Sequence, residues 1–85
     1  MLMTYPAIFK EEEQGGFYIQ FPDVEGNGTQ GETILDGIKM AEDYLEIMLN
    51  DYKEQQEEYP QSTSIEELEE KYPREIIKFI SVETD

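Results

Sequence analysis

The chain has 85 residues, and its 21 Asp and Glu against 6 Lys and Arg give a formal net charge of -15, with no cysteine and no histidine. That composition excludes a disulfide framework, thiolate or imidazole zinc sites, and Ser-His or Cys-His nucleophilic catalysis. A chain this short makes one domain hiding only about 60–65% of the surface it exposes when unfolded, so self-association would add stability.

In chain order, residues 1–10 (MLMTYPAIFK) mix apolar, β-branched and aromatic side chains and predict a strand. Pro6 has no N–H to give a ladder, which predicts an edge strand or a locally unpaired position. Residues 16–21 (GFYIQF) alternate more clearly, with Phe17, Ile19 and Phe21 on one face, and predict a second strand joined to the first by an antiparallel hairpin through EEEQGG. All six glycines lie between residues 15 and 37. PDVEG reads as a turn and NGTQG as a short third strand. Ile34, Ile38, Ala41, Leu45, Met48 and Tyr52 then recur at steps of four and three, which predicts a helix over residues 32–54, about 30 Å long. Leu35, Tyr44 and Leu49 widen its apolar stripe, predicting burial against the sheet plus a further contact. Met40 and Met48 beside the stripe read as core filler.

The polar run KEQQEEYPQST marks a loop. Ser64 with Glu67 has the form of a capping box, opening a short helix over residues 64–72 with Ile65 and Leu68 inward, Pro73 as its stop, and a Glu67–Lys71 pair on its surface. EIIKFISVE, residues 75–83, is the last predicted strand. The expected fold is α+β: a small antiparallel sheet in the order β-β-β-α-(short α)-β with one long amphipathic helix on one face.

Paired carboxylates such as Asp23 with Glu25, or Glu32 with Asp36, could act as acid and base or hold a divalent ion. With 21 acids in 85 residues, however, such pairs arise from composition alone. GNGTQG has the G-x-G-x-x-G spacing but not the open helix N-terminus and acid-free surroundings that a pyrophosphate wants. The aromatics Tyr5, Phe9, Phe17, Tyr18 and Phe21 read as core rather than base-stacking platform, since Lys10 is the only basic residue before Lys39. The surface repels phosphate, which disfavours direct binding of nucleic acid or anionic membrane. A basic protein is its natural complement, and plain solubility is the alternative use of the charge. The opening MLMTYPAIFKEEE has no basic region followed by an apolar run, and no apolar stretch approaches the about 20 residues of a membrane helix, so a cytoplasmic chain is expected.

The segment FPDVEGNGTQGET, followed by an amphipathic helix, resembles the signature of the HicB antitoxin family. In that family a strand ends in Pro-Asp, a turn leads to Gly, and a Thr-x-Gly-Asp/Glu-Thr segment opens the helix. The matching residues are Pro22, Asp23, Gly26, Thr29, Gly31, Glu32 and Thr33. GGFYIQF, Ala41 and YPQS are similar to the family's second strand, small helix residue and post-helix proline segment, so the likeness runs over residues 4–64. The chain departs from the pattern at Glu25, Asn27 and Gly28, where proline, cysteine and a larger apolar residue are common.

The resemblance implies a partial RNase H-like domain that binds a HicA-type toxin, a small basic mRNA interferase, and neutralises it by steric and electrostatic masking, with no catalytic residue, metal or cofactor. A homodimer or higher homo-oligomer is expected. Family members commonly carry a C-terminal DNA-binding segment; here the chain reaches Asp85 directly after its last predicted strand, so a single toxin-binding domain over residues 1–85 is expected and operator binding is not assigned to it. The alternative is a metal-dependent nuclease on an RNase H-like sheet, but that chemistry wants acids at the centre of the first strand, and TYPAIF has none. For the motif, Pro22, Gly26, Gly28, Thr29 and Gly31 are expected to shape a tight strand-to-helix passage while Asp23 caps a turn through its own backbone. Asp23, Glu25, Glu32 and Asp36 could instead face the partner.

Overall fold

Alternation along the first strand decides which layer each of its side chains meets. The computed structural model describes residues 1–84. The chain runs β1 (Leu2–Glu11), β2 (Phe17–Gln20), β3 (Thr29–Gly31), α1 (Ile34–Glu54), α2 (Ile65–Lys71) and β4 (Ile76–Glu83), which is the expected order of elements. The strands form one antiparallel sheet in the order β3-β2-β1-β4. β1 is therefore central rather than an edge strand. Its pairing with β4 runs from Leu2 to Phe9, whereas β2 reaches only from Ile8 to Glu11. Pro6 falls in the half of β1 that has a strand on one side alone, the locally unpaired position its missing N–H requires.

Tyr5, Ala7 and Phe9 of β1, with Ile19, Ile80 and Val82 of the flanking strands, form one buried cluster with Ala41, Leu45 and Leu49 of α1, closed by Phe21 and Val24. Pro6 and Ile8 point to the opposite face and are buried too, as is Leu68 of α2. α2 covers this second face: Ile65, Glu69 and Tyr72 border Ile77, the β4 partner of Ile8, and Lys10 Nζ lies 5.7 Å from the centre of the Tyr72 ring. The result is three layers, α1, sheet and α2. The unbroken burial from Tyr5 to Phe9 is what a strand covered on both faces shows.

α1 opens at Thr33, whose side chain accepts from the Asp36 N–H, and its buried row is Gly37, Ala41, Leu45 and Leu49. Two expectations for this helix fail. Leu35 does not widen the buried stripe but stands 71% exposed, and Met40, at 42%, is not core filler. Both lie off the row that meets the sheet, whereas Ile34 and Ile38, on the sheet side of the same turns, pack against the core. A Cβ on Gly37 would sit 2.7 Å from Phe9 Cε2 and 2.9 Å from Ile19 Cδ1, and a Cβ on Gly31 would sit 2.4 Å from Gly37 Cα. Backbone meets backbone where β3 passes under α1.

α2 is capped by Ser64, which accepts from the Glu67 N–H at 3.4 Å. The expected Glu67–Lys71 pair is not formed. Among the described residues the ion pair present joins the N-terminal ammonium to Glu83 at 3.4 Å. An exposed i,i+4 pair gains only a few tenths of a kcal/mol, too little to hold two long side chains together. No helix among the described residues is long and apolar enough to cross a membrane.

Gly31→Ala is expected to destabilise the domain by about 1–3 kcal/mol, because the added methyl meets backbone that can yield only if α1 shifts as a body. Gly37→Ala should cost less, since the atoms it meets belong to the Phe9 and Ile19 side chains. Urea unfolding of the two variants against the parent chain checks both the size and the order.

Candidate functional site

Residues 21–33 connect β2 to α1 through β3, and their hydrogen bonds show what the segment holds. Asp23 does not cap a turn through its own backbone. Its Oδ2 accepts from the Thr63 N–H at 2.9 Å and its Oδ1 from the Thr63 hydroxyl, 40 residues further along the chain. Tyr5 donates its hydroxyl to the Pro60 carbonyl at 2.6 Å. Together these bonds staple the loop after α1 to the end of the sheet. Burial, reinforced by the Asp23 charge, raises the Tyr5 phenol above its ordinary pKa near 10.0.

Gly26 and Gly28 carry φ of +124° and +81°, a region that favours glycine. The turn they make is received by α1. The Gly28 N–H donates to the Tyr44 hydroxyl at 3.1 Å and the Glu25 N–H to the Tyr52 hydroxyl at 3.3 Å. Tyr44 also stacks on Phe21, with ring centres 5.9 Å apart. The apolar spacing of Tyr44 and Tyr52 is thus only half their role, because their hydroxyls also accept from the backbone of the turn. Tyr18 donates to the Asn27 carbonyl on the far side of the same turn. Pro22 precedes Asp23 at the exit of β2, and Thr29 pairs with Ile19 in the sheet.

At the end of the segment a reciprocal cap forms. The Asp36 N–H donates to Thr33 Oγ1 at 3.0 Å and the Glu32 N–H donates to Asp36 Oδ2 at 2.9 Å. Glu32 and Asp36 then line an open cleft of about 460 Å³ with Glu12, Gln14, Gln30 and Met40. Gln30 Nε2 reaches Glu12 Oε1 at 3.4 Å. Glu12 escaped the sequence reading; the signal was the β1–β2–β3 register, which carries the hairpin acids to the level of Gly31.

The four acids grouped by sequence are therefore divided. Glu32 and Asp36 stand at the start of α1. Glu25 lies at the other end of the helix beside Met48, Asp51 and Tyr52, and Asp23 is taken up by Thr63. Among the described residues no three Asp or Glu converge to hold a metal ion, and the centre of β1 carries no acid.

Residues 5–85 match the family of HicB-like antitoxins of bacterial toxin-antitoxin systems. The chain belongs to that family. It is 36% identical over 58 residues to Antitoxin HicB 1 of Photorhabdus laumondii, a match covering 68% of this chain and 37% of that relative. The chain thus matches well under half of that HicB protein's length. In three dimensions this HicB-like chain superposes with a TM-score of 0.81 on a chain of a toxin-antitoxin complex from Streptococcus pneumoniae, at 27% identity and covering 98% of this chain and 70% of that one. The Burkholderia pseudomallei antitoxin HicB gives 0.80 at 24% identity, over 95% and 64% of the two chains. A chain of the HicA3–HicB3 toxin-antitoxin complex gives 0.71 at 23% identity, over 96% and 100%. At those identities the last two matches speak for the fold.

Two outcomes follow for the staple. Asp23→Ala is expected to lose about 1.5–3 kcal/mol in urea unfolding, the usual range for hydrogen bonds to a charged group. Tyr5→Phe separates the pH dependence. A phenol whose pKa is raised by folding adds stability that is fully present below its unfolded value of 10.0 and is lost as pH rises through the folded value. Unfolding curves from about pH 9 to about pH 11 should therefore fall more steeply for the parent chain than for Tyr5→Phe.

Proposed function

We propose that this chain is the toxin-binding part of a type II antitoxin. In this reading it works in the cytoplasm, makes and breaks no bonds, and neutralises a basic HicA-type mRNA interferase by covering the surface on which RNA is cut. The observation that carries the reading is a net charge of -15 on a HicB-like fold. Such a surface draws a cationic ribonuclease in and, once docked, occupies the place of the phosphate backbone. Steric cover and like charge then act together against RNA.

Glu32 and Asp36, with Glu12, form the contact we assign to the partner at the start of α1, and Glu25 a second one at the end of the helix. Asp23 belongs to the scaffold that holds them, since its carboxylate is engaged by Thr63. Pro22, Gly26, Thr29 and Gly31 shape the passage between β2 and α1. Self-association into a homodimer or larger assembly would supplement the modest core of an 85-residue domain. Any contact with operator DNA is assigned to a segment outside these residues.

The test is an RNA-cleavage assay with a HicA-type toxin, the partner proposed here. Addition of the chain should stop cleavage at a fixed stoichiometry. The triple variant Glu12→Lys, Glu32→Lys, Asp36→Lys should need roughly tenfold more protein for the same inhibition, equivalent to about 1.4 kcal/mol. Undiminished cleavage in the presence of the parent chain contradicts the proposal.

A further inference from the structure

Met40 and Ile47 are large apolar side chains that the fold leaves 42% and 65% exposed. Single exposed hydrophobics are ordinary, but these two share one row. At about 100° per residue, Asp36, Met40, Asp43, Ile47 and Glu54 fall within a strip about 60° wide. All five are exposed. The row lies on the side of α1 opposite the buried Gly37, Ala41, Leu45 and Leu49. Its two apolar members are seven residues apart, about 10.5 Å along the axis, with acids before, between and after them.

We propose that this outward row of α1 is a docking face for a basic amphipathic helix of the partner protein, with Met40 and Ile47 as its apolar anchors. The inference rests on the antitoxin reading and deepens it. A helix ridge has no free backbone N–H or C=O groups for an added strand to pair with, but it fits the groove between side-chain rows of a second helix. The seven-residue spacing of the anchors equals the repeat along which two crossing helices stay in contact. Charge selects the occupant. A second copy of this chain would bring one acidic row against another, on bodies of -15 each, whereas Lys and Arg flanking the apolar seam of a basic helix would meet Asp36, Asp43 and Glu54. The row is also continuous with the cleft assigned to the partner, because Asp36 and Met40 line both.

The experiment compares binding of the same HicA-type toxin to the parent chain and to three variants by surface-immobilised kinetics. The double variant Met40→Ser, Ile47→Ser should keep its melting temperature, as both side chains are exposed, while dissociation from the toxin speeds up about tenfold or more. Asp43→Lys should slow association and flatten its salt dependence. Glu42→Lys, the same charge change on a neighbouring face of α1, should alter either rate by less than about twofold. Parent-like dissociation of the double variant overturns the docking face. If the Glu12, Glu32, Asp36 triple variant still weakens inhibition at the same time, the antitoxin reading survives. A double variant that instead loses self-association by light scattering, with toxin binding intact, makes the row a self-interface and also overturns the proposal.

Discussion

The contact on which the rest of the structure depends is the one between the backbones of β3 and the first turn of α1. Gly31 and Gly37 approach so closely that a Cβ on Gly31 would strike the Gly37 backbone. This fixes the height at which the long helix crosses the sheet. Phe9 and Ile19 then fill the space under Gly37, and Ala41, Leu45 and Leu49 follow over Tyr5, Ala7 and the β4 side chains. Seated this low, α1 can bury only a narrow row of small and medium side chains. Ile34, Ile38, Tyr44, Met48 and Tyr52 pack half-buried along its flanks, and Leu35, Met40 and Ile47 are left outside.

The same closeness explains why the passage from β2 to α1 is so rich in special residues. Two glycines turn the chain through positive φ and a third lets it slide beneath the helix. Tyr44 and Tyr52 of α1 collect the N–H groups freed by the turn, and Asp23 clasps Thr63. Most of the segment therefore builds a scaffold. Its exposed acids are Glu25 and Glu32, joined by Asp36 in the first turn of α1.

Much of this was legible in the amino-acid order. The helical period from Ile34 to Tyr52, the alternation of Phe17, Ile19 and Phe21, the Ser64 cap and the β-branched last strand each state a local preference that the fold obeys. The family pattern around Pro22 and Gly31 was also visible. What escaped depends on residues far apart in sequence. The partner of Asp23 is 40 positions away. The cover of the second sheet face by α2 left only the run Tyr5 to Phe9 as a trace, because burial on both faces erases alternation. Leu35 and Met40 were misplaced because their spacing fits a wide stripe, and only the docked helix shows that the sheet meets the row of Gly37, Ala41, Leu45 and Leu49, which neither of them shares. Glu12 joins Glu32 and Asp36 through strand register, which no local window contains.

Charge and cover are the whole of the proposed action, so the kinetics of encounter bear on it most directly. The decisive measurement is the stopped-flow association rate of this chain with a HicA-type toxin, the partner proposed for it, as salt is raised from about 0.05 M to about 0.5 M. Electrostatic docking predicts a rate that falls by roughly tenfold or more over that range as the acidic surface is screened. A rate indifferent to salt would contradict it.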